Sequence, residues 1–191
     1  MKILYVGSSK SIVRNLIELG VEEVGLVIVD PDGIVISSDV SVEEMKRLRN
    51  FKVPIILSSG KSDLQREVDV LILDENEMNT FYGSIKWDLQ KCREKIRELG
   101  IKHLVVSLAK EEVKKIIQML DIPKISIQNI QITDREVERA KDVITAIISY
   151  IYLKEGLLMP DSIEKAKVGA VLEMVGMKKD YCHHLKFNLR K

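Results

Sequence analysis

Apolar residues in this chain come in short continuous runs, separated by longer segments in which they recur every three or four positions. Lys2-Ile3-Leu4-Tyr5-Val6, Val24 to Val29, Val53 to Leu57, Asp69 to Leu73 and His103 to Leu108 are the short runs, and each reads as a buried strand. Between them, Ile12, Val13, Leu16, Ile17 and Leu19 keep helical spacing as far as Gly20. Ser41-x-x-Glu44 is a capping box that opens a helix to about Arg49, and a charged helix carrying Leu89, Ile96 and Leu99 runs to Gly100. Val113, Ile116, Ile117 and Leu120 repeat the helical spacing. Strands alternating with helices of this length predict an α/β fold, a three-layer sandwich with a mostly parallel sheet in the middle. Pro31-Asp32-Gly33 ahead of Ile34-Val35-Ile36 is turn chemistry and predicts a hairpin at that point.

One longer stretch stands apart. From Arg135 to Lys141 the chain carries charges of both signs, and after Asp142 it turns apolar through Val143, Ile144, Ala146, Ile147, Ile148 and Ile151 until Lys154-Glu155-Gly156 stops the run. This pattern predicts a helix that leaves a polar loop at Asp142 and is buried around most of its circumference. It is too short to span a bilayer. A helix start presents unpaired N–H groups and the positive end of the macrodipole, which suits an anion. Asp142 at that position is either a plain cap or a general base held beside an anion hole.

Composition narrows the function classes. With 191 residues, 46% of them hydrophobic, the chain can build one sizeable core, so residues 1–191 read as a single domain. Segment 177–191 is basic and mixed, and reads as either an ordered edge or a frayed tail. Thirty basic against 29 acidic side chains give a formal net charge of +1, so no global field favours nucleic acid or an acidic membrane. Cys92 and Cys182 show no paired spacing, and neither a secretory signal nor a transmembrane run is visible, which predicts a cytoplasmic protein with reduced thiols.

Several motifs, taken in order, resemble the ribokinase or PfkB family of sugar and nucleoside kinases. The charged-to-apolar stretch is similar to that family's D-T-x-G-A-G-D and following helix, with Glu136 at the first aspartate, Arg139-Ala140-Lys141 at Gly-Ala-Gly and Asp142 at the closing aspartate. Leu153-Lys154-Glu155-Gly156 and the segment to Ala166 resemble the next turn and helix. Asp74-Glu75-Asn76-Glu77 with Gly83 is similar to the family's N-x-x-E motif and its glycine, and Leu99-Gly100 to Ala109 resembles L-G-x-x-x-V-V-V-T-L-G with Ser107 keeping the hydroxyl. The likeness covers most of residues 53 to 176.

That resemblance implies a ribokinase-like sandwich, here lacking the lid, and ATP-dependent phosphoryl transfer to a hydroxyl of a small-molecule ligand. It implies Asp142 as the catalytic base, Ser107, Arg139, Ala140 and Lys141 around the nucleotide phosphates, and Asp74 with Glu77 managing Mg2+. ATP and Mg2+ are the cofactors if the chain is active. In place of the glycines, Arg139 and Lys141 bring bulk and positive charge, which either bind an anion by side chain or fill the hole and abolish transfer. The alternative is a non-catalytic anion- or ligand-binding regulatory module on the same fold, working as a homodimer through the hairpin edge near Ile34. Cys182-His183-His184 reads as a surface tail rather than a zinc site, His103 as structural, and Ser58-Ser59-Gly60-Lys61 as a loop without the P-loop spacing.

Overall fold

The structure is a computed structural model and describes residues 1–38, 40–58, 65–66, 68–82, 89–119 and 132–176. The strands are β1 (Lys2–Val6), β2 (Glu23–Gly25), β3 (Gly33–Ile36), β4 (Ile55–Leu57), β5 (Val70–Leu73) and β6 (His103–Val106). The helices are α1 (Lys10–Leu19), α2 (Val42–Arg49), α3 (Glu75–Tyr82), α4 (Leu89–Leu99), α5 (Lys110–Met119), α6 (Asp134–Glu155) and α7 (Pro160–Met174). All six strands pair in parallel in one sheet of order β2-β1-β3-β4-β5-β6.

Alternate residues of each strand feed two separate cores, as the two-residue period of a strand requires. Ile3, Tyr5, Val35, Ile56, Val70, Ile72 and Val105 face one side, with residues of α1, α5, α6 and α7 packed over them. Leu4, Ile34, Ile36, Ile55, Leu57, Leu71 and Leu73 face the other, under Met45 of α2, Met78 of α3 and the partly buried Ile96 and Leu99 of α4. Parallel strands need both faces covered. The expected three-layer α/β sandwich with a mostly parallel sheet is therefore the observed one, and among the described residues every strand belongs to that single sheet.

The expected hairpin does not form. β2 and β3 both run parallel to β1 and lie on opposite sides of it, with Ile3 paired to Val24 on one side and to Gly33 on the other. Pro31-Asp32-Gly33 is a turn, but one that closes a crossover over β1. Ile34 is fully buried between β1 and β4, so the dimer contact expected at a hairpin edge near Ile34 has no edge to use.

α6 is longer than its apolar run. Its N-cap is Thr133, whose side chain accepts from the Glu136 N–H while the Glu136 carboxylate accepts from the Thr133 N–H. That reciprocal cap starts the helix eight residues ahead of the expected position and carries it unbroken to Gly156, which ends it at φ 72°. Only the second half is buried all round, against α1, α7 and the sheet. The expected helix start at Asp142 is corrected accordingly: the N–H groups without a partner four residues back belong to residues 133–136, and Val137 already donates to the Thr133 carbonyl.

Candidate functional site

In an open parallel sheet, ligands collect outside the carboxyl ends of the strands, where the strand order reverses. Here the chain goes from β1 to β2 on one side and then crosses to β3 on the other, so the reversal lies between β1 and β3. The residues that follow the ends of β1 and β3 to β6 are small and polar: Ser8 after β1, Ser37 and Ser38 after β3, Ser58 after β4, Asp74 after β5 and Ser107 after β6. Five of these six, together with Glu77 of α3 and Glu138, Lys141 and Asp142 of α6, line a cleft of about 430 Å3; Ser107 is the exception.

Its hydroxyl wall is built from β1 outward. Gly7 lets the loop after β1 press against its neighbours, because a Cβ there would run into Ser37 Oγ and the Tyr5 hydroxyl. Those two hydroxyls share a 2.6 Å hydrogen bond, and the Tyr5 oxygen accepts from the Ser9 N–H at 3.0 Å. Ser9 caps α1 and donates from Oγ to Asp142 Oδ2 at 2.6 Å. Thr145, fully buried one turn after Lys141, donates to the Lys141 carbonyl at 2.8 Å and shares a 2.9 Å hydrogen bond with the Ser58 hydroxyl, which ties α6 to the end of β4. Burial pushes the Asp142 carboxyl above its ordinary value, and Glu138 one turn earlier adds to the rise; the Ser9 bond and Lys141 oppose it. Burial likewise raises the Tyr5 phenol.

The acidic wall is knitted into the fold. Asp74 and Glu77 cap α3 reciprocally, each carboxylate accepting the other's N–H at 2.8 Å. Between them sits the Lys141 ammonium, in direct contact with Glu77 and 3.7 Å from Asp74 Oδ2. Lys141, Asp74 and Glu138 also border a second cleft, of about 400 Å3, beyond the ends of β5 and β6.

Four of the expected site residues are thus brought together: Asp142, Asp74, Glu77 and Lys141 line one hollow. The other three lie elsewhere. Arg139 points to α7, 3.4 Å from the buried Glu173, which also holds Arg14 at 2.7 Å. Ala140 is fully buried in the helix packing. Ser107 is buried, and its hydroxyl has no hydrogen-bond partner among the described residues. Sequence reasoning overlooked Ser8, Ser9, Ser37, Ser38 and Glu138; the available signal was a hydroxyl residue directly after successive apolar runs. The Cys182-His183-His184 segment and Ser59-Gly60-Lys61 lie outside the described residues.

Magnesium does not fit here. The two carboxylates expected to manage it are taken up by capping bonds and by a lysine ammonium, and among the described residues no group of three or more His, Cys, Asp or Glu side chains is arranged to hold a metal ion. Nor does the second cleft suit a nucleoside triphosphate. Asp74, Glu75, Glu111, Asp134 and Glu138 line it, against Lys110 and Lys141, and Lys110 is itself paired with Asp134 at 2.7 Å. A polyphosphate there meets like charge at short range. The N–H groups of Arg139, Ala140 and Lys141 lie beyond the first helical turn, so the helix ladder uses them and they form no anion hole.

No protein-family model matches the chain, and no curated protein matches it. A solved structure of ribokinase from Arabidopsis thaliana, in complex with ribose and ATP, is similar to it at 16% sequence identity with a TM-score of 0.49. The match covers 87% of this chain and 53% of that one, so this chain spans about half the length of that protein. No helix among the described residues is long and apolar enough to cross a membrane.

Proposed function

We propose that this domain binds a small polyhydroxylated molecule in the serine-lined cleft and does not transfer phosphate to it. In this reading the chain is a divergent relative of the ribokinase-like carbohydrate kinases that keeps the acceptor half of the site and has closed the donor half. The observation that carries it is the unbroken passage of α6 through residues 139–141. Fixed donors around a transferring phosphoryl group are each worth about 2.7–4 kcal/mol of barrier, and a helix that has consumed them supplies none.

The serine hydroxyls both donate and accept, which matches the hydroxyls of a sugar or cyclitol, and the cleft volume falls in the range of small-molecule sites. A second reading, a slow kinase, has one observation in its favour: Asp142 shares the cleft with Asp74 and Glu77. There Asp142 accepts the proton of the attacking hydroxyl as a general base.

Thermal-shift and calorimetric titration of the full chain against sugars, cyclitols and nucleosides, with and without ATP and Mg2+, separates the two. The binding reading expects saturable stabilisation by at least one hydroxylated ligand, unchanged by EDTA, and no ATP consumption. ATP consumption that depends on such a ligand and disappears in Asp142→Asn would establish the kinase instead.

A further inference from the structure

The charges of the serine cleft do not balance. Among the described residues that line it, Asp74, Glu77, Glu138 and Asp142 stand against a single cation, Lys141, and that cation is closed onto Glu77 and Asp74. Two nearby cations are spent elsewhere: Arg139 on Glu173, and Lys110 on Asp134. Lys141 acts on Asp142 from its place on the acidic wall, but none of these groups forms an ion pair with Glu138 or Asp142.

Their spacing makes this an electrostatic conflict. Residues four apart on a helix are neighbours, with Cβ atoms about 5–6 Å apart, and like charges so placed repel. Glu138 is exposed and Asp142 is half-buried, and the repulsion adds to the burial that already raises the Asp142 carboxyl. Asp142 accepts its hydrogen bond from Ser9 through Oδ2. A neutral hydroxyl in that bond steadies the carboxylate but brings no positive charge.

We infer that the ligand of this cleft carries an amino group beside its hydroxyls, an amino sugar or aminocyclitol in chemical class, whose ammonium sits between Glu138 and Asp142 while Ser8 and Ser38 take up ring hydroxyls. This specificity rests on the binding function proposed above. Phosphorylated and carboxylated sugars are rejected by the same charges that attract the amine. Nucleosides find no aromatic side chain among the described residues lining the cleft on which a base can stack.

The test uses the same carbon skeletons in several charge states. Glucosamine, N-acetylglucosamine, glucose and glucose 6-phosphate, with the matching galactose series, are titrated into the full chain by calorimetry at low and at physiological salt. The amino sugar is expected to bind at least tenfold more tightly than its neutral and N-acetyl counterparts, with the gap narrowing as salt rises, and the phosphate more weakly than any of them. Glu138→Gln, a substitution at an exposed position, is expected to bring the amine within about threefold of the neutral sugar. A neutral sugar equal to its amine in the wild-type chain, or a phosphate that binds best, overturns the inference and leaves the hydroxyl-binding function standing. Silence across the whole set overturns the inference, and the hydroxyl-binding function falls with it only if the wider panel of sugars, cyclitols and nucleosides is silent as well.

Discussion

Two carboxylates at opposite ends of the sheet have opposite circumstances. At the amino ends, Asp69 accepts from the Ile55 N–H at 2.8 Å through one oxygen; its other oxygen meets the Lys102 ammonium at 2.6 Å and the Tyr152 hydroxyl at 3.3 Å. His103 lies edge-on against the Tyr152 ring at 5.5 Å, so the histidine expected to be structural belongs to this closed cluster. Asp69 raises the Lys102 amine, by its hydrogen bond first and its charge second. At the carboxyl ends, Asp142 has one serine hydroxyl, a like-charged neighbour and a cavity in front of it. A half-buried carboxylate that serves the architecture is saturated with partners; one left unsaturated beside a cavity is a candidate for the proposed ligand contact.

That contrast can be broken by mutation, starting where the loss is largest. Asp69→Ala strands the Ile55 N–H and the Tyr152 hydroxyl, and buried donors left without acceptors cost about 1–3 kcal/mol each. A loss of about 3 kcal/mol lowers the midpoint of thermal unfolding by roughly 6–12 °C in a chain of this size. An unchanged midpoint would mean that the lower cluster is ornamental.

Next comes the double substitution Arg139→Gly with Lys141→Gly, which puts glycine inside α6 where the motif it resembles carries it. Two interior glycines cost about 2 kcal/mol by helix propensity alone, and the Lys141 contact with Glu77 goes as well. If the variant lost no stability, or if it gained a thermal response to ATP with Mg2+, the proposal that α6 leaves no phosphate site at residues 139–141 would fall. Thr133→Ala should cost about 1 kcal/mol in a denaturant titration, since it removes the side-chain half of the cap. No loss there would put the working start of the helix nearer Asp142.

The smallest effect has the opposite sign. Because the Asp142 carboxyl is raised in the folded state, the native form holds that proton more tightly than the unfolded chain does. The stability this contributes is complete below the ordinary carboxyl range and is lost as pH rises through the raised value. Asp142→Asn, which can still accept from Ser9, should therefore match wild type in acid and be slightly the more stable at neutral pH. A stability deficit at neutral pH would place Asp142 among the architectural carboxylates with Asp69.

How far these features could be read from the sequence depends on the range of the interaction that makes them. Apolar period and capping chemistry are local, so four of the five apolar runs, the Ser41-x-x-Glu44 cap and the Gly20 stop were legible and formed as expected, whereas the run Val24 to Val29 yields only the three-residue β2, with Leu26, Val27 and Val29 exposed. Thr133-x-x-Glu136 is a signal of the same kind, yet the abrupt change in hydropathy at Asp142 drew the helix boundary to the wrong place. Hydropathy marks where a helix becomes buried, whereas capping marks where it begins. The β2-to-β3 crossover was illegible for a different reason. Pro31-Asp32-Gly33 fixes a bend but not which side of β1 the chain lands on, and that is decided by covering both faces of a parallel sheet. Sharing of one hollow by Asp142 and Glu77 is a long-range fact that followed from their positions after a strand and along α6. The pairing of Arg139 with Glu173, 34 residues away, left no mark in either local pattern.

β2 is three residues long and forms one margin of the sheet, and just beyond it Leu26, Val27 and Val29 stand 70%, 88% and 78% exposed. A strand this short offers few free backbone groups for another chain to zip onto, which limits orderly stacking. The oily fringe beside it has no such limit, and a formal charge of +1 gives molecules little reason to stay apart. Crowded solutions of this protein should therefore cloud from that corner first, and Val27→Lys should raise the concentration at which light scattering sets in.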